Sequence, residues 1–231
     1  MIPGMQQSRV AEQLQAGGEA LASGDANHAR YQRLYDGMAP VYAGAMRLLP
    51  VWRRYIEAVW PWLWPLPASS AVLEIGPGPG VLLAQLARRF RLAVGLDLST
   101  GMLQQAQRRL SQAGQPPLLV QADAARLPLA VASFDAVALT FAFSAFPDGL
   151  GAMREMARVL RPGGLLILVD AGLPGNGNRI GAALARGWTL FGDTMRDEAS
   201  LMEQAGLAVI ERREFGAFDG IRLVVGRSLK D

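Results

Sequence analysis

The chain has 231 residues, 51% hydrophobic and 19% charged, with a formal net charge of +3 and no cysteine. That length suits one doubly wound domain with a decorated edge, and a chain without cysteine has no disulfide, thiolate metal site or cysteine nucleophile. One histidine, His28, and no clustered carboxylates argue against a transition-metal site, and no apolar stretch reaches the length of a membrane span.

Residues 1–30 read as a polar arm whose helical pattern is broken by Gly17, Gly18 and Gly24, so it is expected to be mobile or loosely docked. The opening residues lack the hydrophobic block of a signal peptide, and a cytoplasmic location is expected. Residues 31–70 form a second helical region, an extension on the substrate side that ends in a proline-containing linker. Within it Trp52, Trp60, Trp62 and Trp64 fall close together beside Arg53, Arg54 and Tyr55. Amphipathic rings mixed with arginine suit a lipid headgroup layer, and they also suit packing onto a sheet. Peripheral membrane contact through residues 52–64, on the inner face, is the functional expectation for this segment.

From residue 71 the pattern changes to strand–helix alternation, which predicts a parallel sheet covered on both faces. The first unit is AVLEIGPGPGV: an apolar strand breaking into Gly76, Gly78 and Gly80 before an apolar-periodic helix. Glycines there permit positive φ and close approach of a ligand to the main chain. The helix start turns free N–H groups toward the loop. A second strand ends on Asp97, seventeen residues after Gly80, where a carboxylate can accept both ribose hydroxyls. A glycine turn with a ribose acceptor reads as an adenosine-type cofactor site. The spacing is G-x-G-x-G rather than G-x-G-x-x-G, and Glu74 would repel a pyrophosphate but attract the ammonium of an amino acid.

Next come GLDLSTGMLQQAQRRL, with Ser99 placed to cap its helix, and VQADAARLPLAVASFDAVAL, with Asp123 at a strand end. The segment REMARVLRPGGLLILVD reads as a helix, a turn at Pro162 and Gly163, and a strand. A glycine-rich loop follows at residues 173–181, then helical stretches, then two β-branched strands, LAVIERREF and IRLVVGR. Arginine clusters at Arg53–Arg54, Arg88–Arg89 with Arg91, Arg108–Arg109 and Arg212–Arg213 fall mostly on expected helix surfaces and read as solvated faces. No basic stripe is interleaved with aromatics, so no nucleic-acid partner is expected.

This series, Glu74, Gly76, Gly78 and Gly80 followed by Asp97, Asp123 and the late Arg-Pro-Gly-Gly turn, resembles the class I S-adenosylmethionine-dependent methyltransferases over about residues 30–227. The resemblance implies an α/β fold with a Rossmann-like, seven-stranded doubly wound sheet, order 3-2-1-4-5-7-6, last strand antiparallel. It implies a methyltransferase core at 71–231 with S-adenosyl-L-methionine as cofactor. It places Asp97 on the ribose, Leu98 and Met102 on the adenine, Asp123 with the Ala124 backbone at the adenine amino group, and Thr140 and Phe141 beneath the methionine half. Met102 also suits a core position.

Tyr35, Asp36, Ala39 and Tyr42 are similar to the opening of the quinone-biosynthetic and phospholipid N-methyltransferase branches, although Ala43 stands where those branches usually carry Asp. By that likeness Tyr35 closes over the methionine end. The activity implied is direct methyl displacement to a small lipophilic acceptor: a phospholipid amine, a quinone precursor or another aromatic. Phe141, Phe143, Phe146, Trp188 and Phe191 favour such an acceptor. A non-catalytic cofactor-binding or assembly protein on the same fold is the alternative. The motif of DNA amino-methyltransferases is missing after Thr140, and no catalytic base is assigned.

Overall fold

A computed structural model describes residues 37, 50–116, 118–189 and 194–229. Tyr35, Asp36, Ala39, Tyr42, Ala43, His28, Phe191 and the arm at residues 1–30 lie outside the described residues, as do the side chains of Trp52 and Trp188.

Helix α1 (Pro50–Ile56), a 3-10 turn (Glu57–Val59) and α2 (Trp60–Leu63) precede β1 (Ala71–Ile75). Then come α3 (Val81–Arg89), β2 (Leu92–Asp97), α4 (Thr100–Gln112), β3 (Leu119–Gln121), β4 (Phe134–Thr140) and α5 (Gly149–Val159). The chain closes with β5 (Leu160–Ala171), α6 (Arg179–Thr189), α7 (Glu198–Gln204), β6 (Leu207–Phe215) and β7 (Ile221–Ser228). The strands form one sheet in the order β3-β2-β1-β4-β5-β7-β6. β1 to β5 pair in parallel, and β7 is antiparallel to both β5 and β6. Fold class and strand order are as the sequence led one to expect.

The sheet is buried on both faces because its central strands are largely apolar, and β1 is buried throughout, Glu74 included. Alternate residues then feed two cores. Leu73, Val94, Val137 and Leu166 face one side with Met153 and Met156 of α5 and Met202 of α7. Val72, Ala93, Ala136 and Ile167 face the other, against Leu82, Leu83 and Leu86 of α3 and Ile56, Val59 and Leu63 of the α1–α2 segment. That segment is therefore part of the folded core. Helix starts are fixed by side chains: the Ser99 hydroxyl accepts from Met102 N at 3.1 Å, and Asp148 Oδ1 accepts from Gly151 N at 2.8 Å.

Two details depart from the sequence reading. Pro162 and Gly163 do not separate α5 from its strand; β5 begins at Leu160 and pairs with Phe134, and the ladder resumes at Ala136 with Leu165. Gly163 at φ +72 lets the extra residues bulge out without ending the pairing. The tryptophans are also unequal. Trp60 is half-buried and donates from Nε1 to Gln85 at 2.9 Å, Trp62 is half-buried, and Trp64 is exposed beneath the Arg89 guanidinium. Trp64 lies at the edge where strands begin, since Arg89 also donates to the Leu66 carbonyl.

Candidate cofactor site

The strand order reverses at β1, which has β2 on one side and β4 on the other. Ligands in open α/β sheets lie beyond the carboxyl ends of the strands at that point. A cavity of about 1050 Å³, open to solvent, sits there. Its wall is made by segments leaving successive strands: Gly76, Pro77, Gly78 and Pro79 after β1, Leu96 to Leu98 at β2, Ala122 to Ala124 after β3, and Thr140 to Ala142 at β4.

Of the residues singled out from sequence, the structure brings Glu74, Gly76, Gly78, Asp97, Leu98, Met102, Asp123, Ala124 and Thr140 together around this cavity. Gly80 has a different place. It starts α3 at φ +74, and a Cβ there would meet the Ala106 backbone at 3.0 Å, so it is a packing glycine between α3 and α4. Gly76, at φ +66, is similarly tight: a Cβ would fall 2.5 Å from that of Ala142. The bare main chain is required by both conformation and space. Phe143, by contrast, is buried in the core rather than at the cavity, while Phe141 and Phe146 do line it.

The electrostatics are unusual at one point. Glu74 is 1% exposed, and among the described residues its Oε2 has no hydrogen-bond partner. Burial, and secondarily the charge of Asp97, pushes its carboxyl up to about 8. Asp97 is held differently: Oδ1 accepts from Ser99 N at 2.9 Å and Oδ2 from Gly78 N at 3.3 Å, which fixes the carboxylate at the cavity rim. Asp123 Oδ1 accepts from Ala125 N at 2.9 Å, setting the turn that carries Ala124. Phe141 is a non-glycine residue at φ +54, a costly conformation that tends to mark functional positions.

Several site residues escaped the sequence reading. Ile56, Ala145, Pro147 and Asp148 complete the wall. Arg109 is not on a solvated face: its Nε donates to the Pro79 carbonyl at 2.8 Å and braces the glycine loop. Arg196 donates to the carbonyls of Phe143 (3.1 Å) and Phe146 (2.6 Å), and Asp170 accepts from Ser144 N at 2.8 Å, so the wall loop is pinned from two sides. The Pro-Asp-Gly run at 147–149 was a readable helix start; the two arginines carried no local signal.

This arrangement can be compared with known proteins. Residues 73–168 match the family model described as a methyltransferase domain. The chain carries a class I S-adenosylmethionine-dependent methyltransferase domain. It is 34% identical over 163 residues to the demethylmenaquinone methyltransferase of Mycolicibacterium gilvum, covering 68% of this chain and 66% of that one. It is also 34% identical over 149 residues to the protein of that name from Mycolicibacterium vanbaalenii, covering 62% of this chain and 60% of the relative. The match thus spans less than two-thirds of these relatives' length. In fold it is similar to a methyltransferase from Thermotoga maritima, with a TM-score of 0.63, 19% identity, and coverage of 85% of this chain and 99% of that one. The cofactor of such methyltransferases is S-adenosylmethionine, and a buried carboxyl with an unpartnered oxygen, beside left-handed glycines, is chemically fitted to its ammonium group. Among the described residues no helix is long and apolar enough to cross a membrane.

Proposed function

We propose that the protein moves the methyl group of S-adenosylmethionine to a small lipophilic acceptor of the quinone-precursor, aromatic or phospholipid-amine kind. The observation that carries the reading is Glu74, a buried acid with an unsatisfied oxygen on the wall of a cavity that otherwise suits an adenosine. In this reading Glu74 and the backbone of Gly76 and Gly78 hold the amino-acid end, and Asp97 takes the ribose hydroxyls. Leu98 and Met102 flank the base, and Asp123 with Ala124 reads its amino edge. Thr140 and Phe141 lie under the methionine half, with Tyr35 as a further cover from the extension. The sulfonium supplies an already activated methyl group.

The chain's own contribution is then positioning and water exclusion. The braces from Arg109 and Arg196 keep the two sides of the cavity in register, which is what an aligned displacement demands. Phe141, Ala142, Ala145 and Phe146 make the open side apolar, favouring an acceptor with a hydrophobic body. The name of the bacterial relatives, demethylmenaquinone methyltransferase, supports the quinone-precursor option. A lipophilic acceptor also suits peripheral membrane contact. Exposed Leu173 between β5 and α6, Ile180 in the first turn of α6 and Phe218 between β6 and β7 serve that contact better than Trp64 at the opposite edge.

The test is incubation with methyl-labelled cofactor and separate quinol, phenol and phospholipid fractions. Label entering the quinol or another lipophilic fraction is the expected result. Cofactor binding without transfer to any fraction would leave the non-catalytic reading standing.

A further inference from the structure

Behind the cofactor cavity lies a second groove, about 1160 Å³ and open to solvent, between α1 and the β6–β7 hairpin. The two spaces share a wall. Ile56 lines the cofactor cavity and its neighbour Tyr55 lines the groove, while the Tyr55 ring stands 6.3 Å from that of Phe141. Tyr55 is a built feature. Its hydroxyl accepts from Ala217 N at 3.0 Å, its ring meets Phe215 edge-on at 5.8 Å, and Gly216 at φ +82 leaves room where a Cβ would sit 3.0 Å from that ring.

The rim is cationic. Arg54 from α1 and Arg213 from β6 both line the groove and are exposed. Arg213 lies over the Phe215 ring at 5.3 Å, which leaves its in-plane N–H donors available to an anion. The one acid on the wall, Glu57, is already engaged by Arg53 at 3.1 Å, so it does not cancel these charges.

We propose that this groove receives an anionic group of the methyl acceptor, a carboxylate or phosphate, with Arg54 and Arg213 as its partners and Tyr55 and Phe215 as the aromatic floor. This rests on the methyltransferase reading and narrows it: the acceptor is an aromatic or lipophilic molecule carrying a negative charge. With its charge held there, the acceptor's reactive part would extend over the Tyr55–Phe141 edge toward Thr140 on the cofactor side.

The test uses the full chain saturated with S-adenosylhomocysteine and two probes of matched ring, 1-naphthyl phosphate and 1-naphthol, titrated by calorimetry at low salt. The charged probe is expected to bind about tenfold tighter than the neutral one. That preference should vanish in the R54Q/R213Q double variant while S-adenosylhomocysteine affinity stays the same. Equal binding of the two probes to the unaltered protein, or a double variant that keeps the preference, overturns the proposal alone. Failure of S-adenosylhomocysteine to bind at all overturns the underlying reading, and this one with it.

Discussion

The Nε of Arg109 donates to the carbonyl oxygen of Pro79 at 2.8 Å, tying α4 to a glycine loop thirty residues earlier. That loop takes positive φ at Gly76, Gly78 and Gly80. An external brace restricts the alternatives such permissive residues would otherwise sample. Replacing Arg109 by Met keeps the aliphatic stem and removes the donor. The half-buried site moderates the loss, so about 1 kcal/mol of cofactor affinity, roughly fivefold, is expected. Calorimetric titration with S-adenosylhomocysteine checks it; an unchanged dissociation constant would mean the loop holds its own shape.

Glu74 gives a pH dependence of definite sign. Its carboxyl, ordinarily near 4.5, is pushed up to about 8 by burial and then by the charge of Asp97. The folded state therefore holds a proton that the unfolded chain releases, and stability falls as pH rises between about 4.5 and 8. Thermal melts of the ligand-free protein should show this slope, and Glu74→Gln should flatten it. Because the cofactor's ammonium favours the ionised form, binding near pH 7 should release a proton to buffer. Calorimetry in buffers of different ionisation enthalpy measures that release, and identical heats in all of them would refute the assignment.

Gly80→Ala tests the packing of α3 on α4. The new Cβ would stand 3.0 Å from the Ala106 backbone at a left-handed φ of +74. A destabilisation of about 1–3 kcal/mol is expected from chemical denaturation. A melt indistinguishable from that of the unaltered protein would show that the helices can part freely.

The fold was legible because its signals are local and repeat: apolar runs, amphipathic helices and punctuating glycines. The strands LAVIERREF and IRLVVGR, for example, form the antiparallel β6–β7 pair they read as. Much of the cavity wall was legible for the same reason, since Glu74, Gly76, Asp97 and Asp123 sit at strand ends where strand order fixes their meeting. What escaped is tertiary. Arg109, Arg196 and Arg222 bond to carbonyls or acids about 25 to 50 residues away, and no periodicity distinguishes them from arginines on a wet surface. The bulge at Gly163 escaped because a Pro-Gly pair after a helix ordinarily signals a turn, and only the pairing of Leu160 with Phe134 shows that the strand had already begun.

Arg222 illustrates the cost of such a contact. It meets Glu198 at 2.6 Å with both side chains buried, joining β7 to α7, and also donates to the Leu173 carbonyl at 2.8 Å. Arg222→Met strands a buried carboxylate and should cost about 3–5 kcal/mol in urea unfolding. Adding Glu198→Gln should restore part of that loss. A double variant less stable than the single one would show that packing, not the stranded charge, dominates.

The measurement that bears most directly on the account is a calorimetric titration of the ligand-free chain with S-adenosylhomocysteine and, separately, with NAD. Saturable one-to-one binding of the first and no heat from the second is predicted. No binding of S-adenosylhomocysteine beside clear binding of the dinucleotide would contradict the assignment of Glu74, the glycine loop and Asp97 alike.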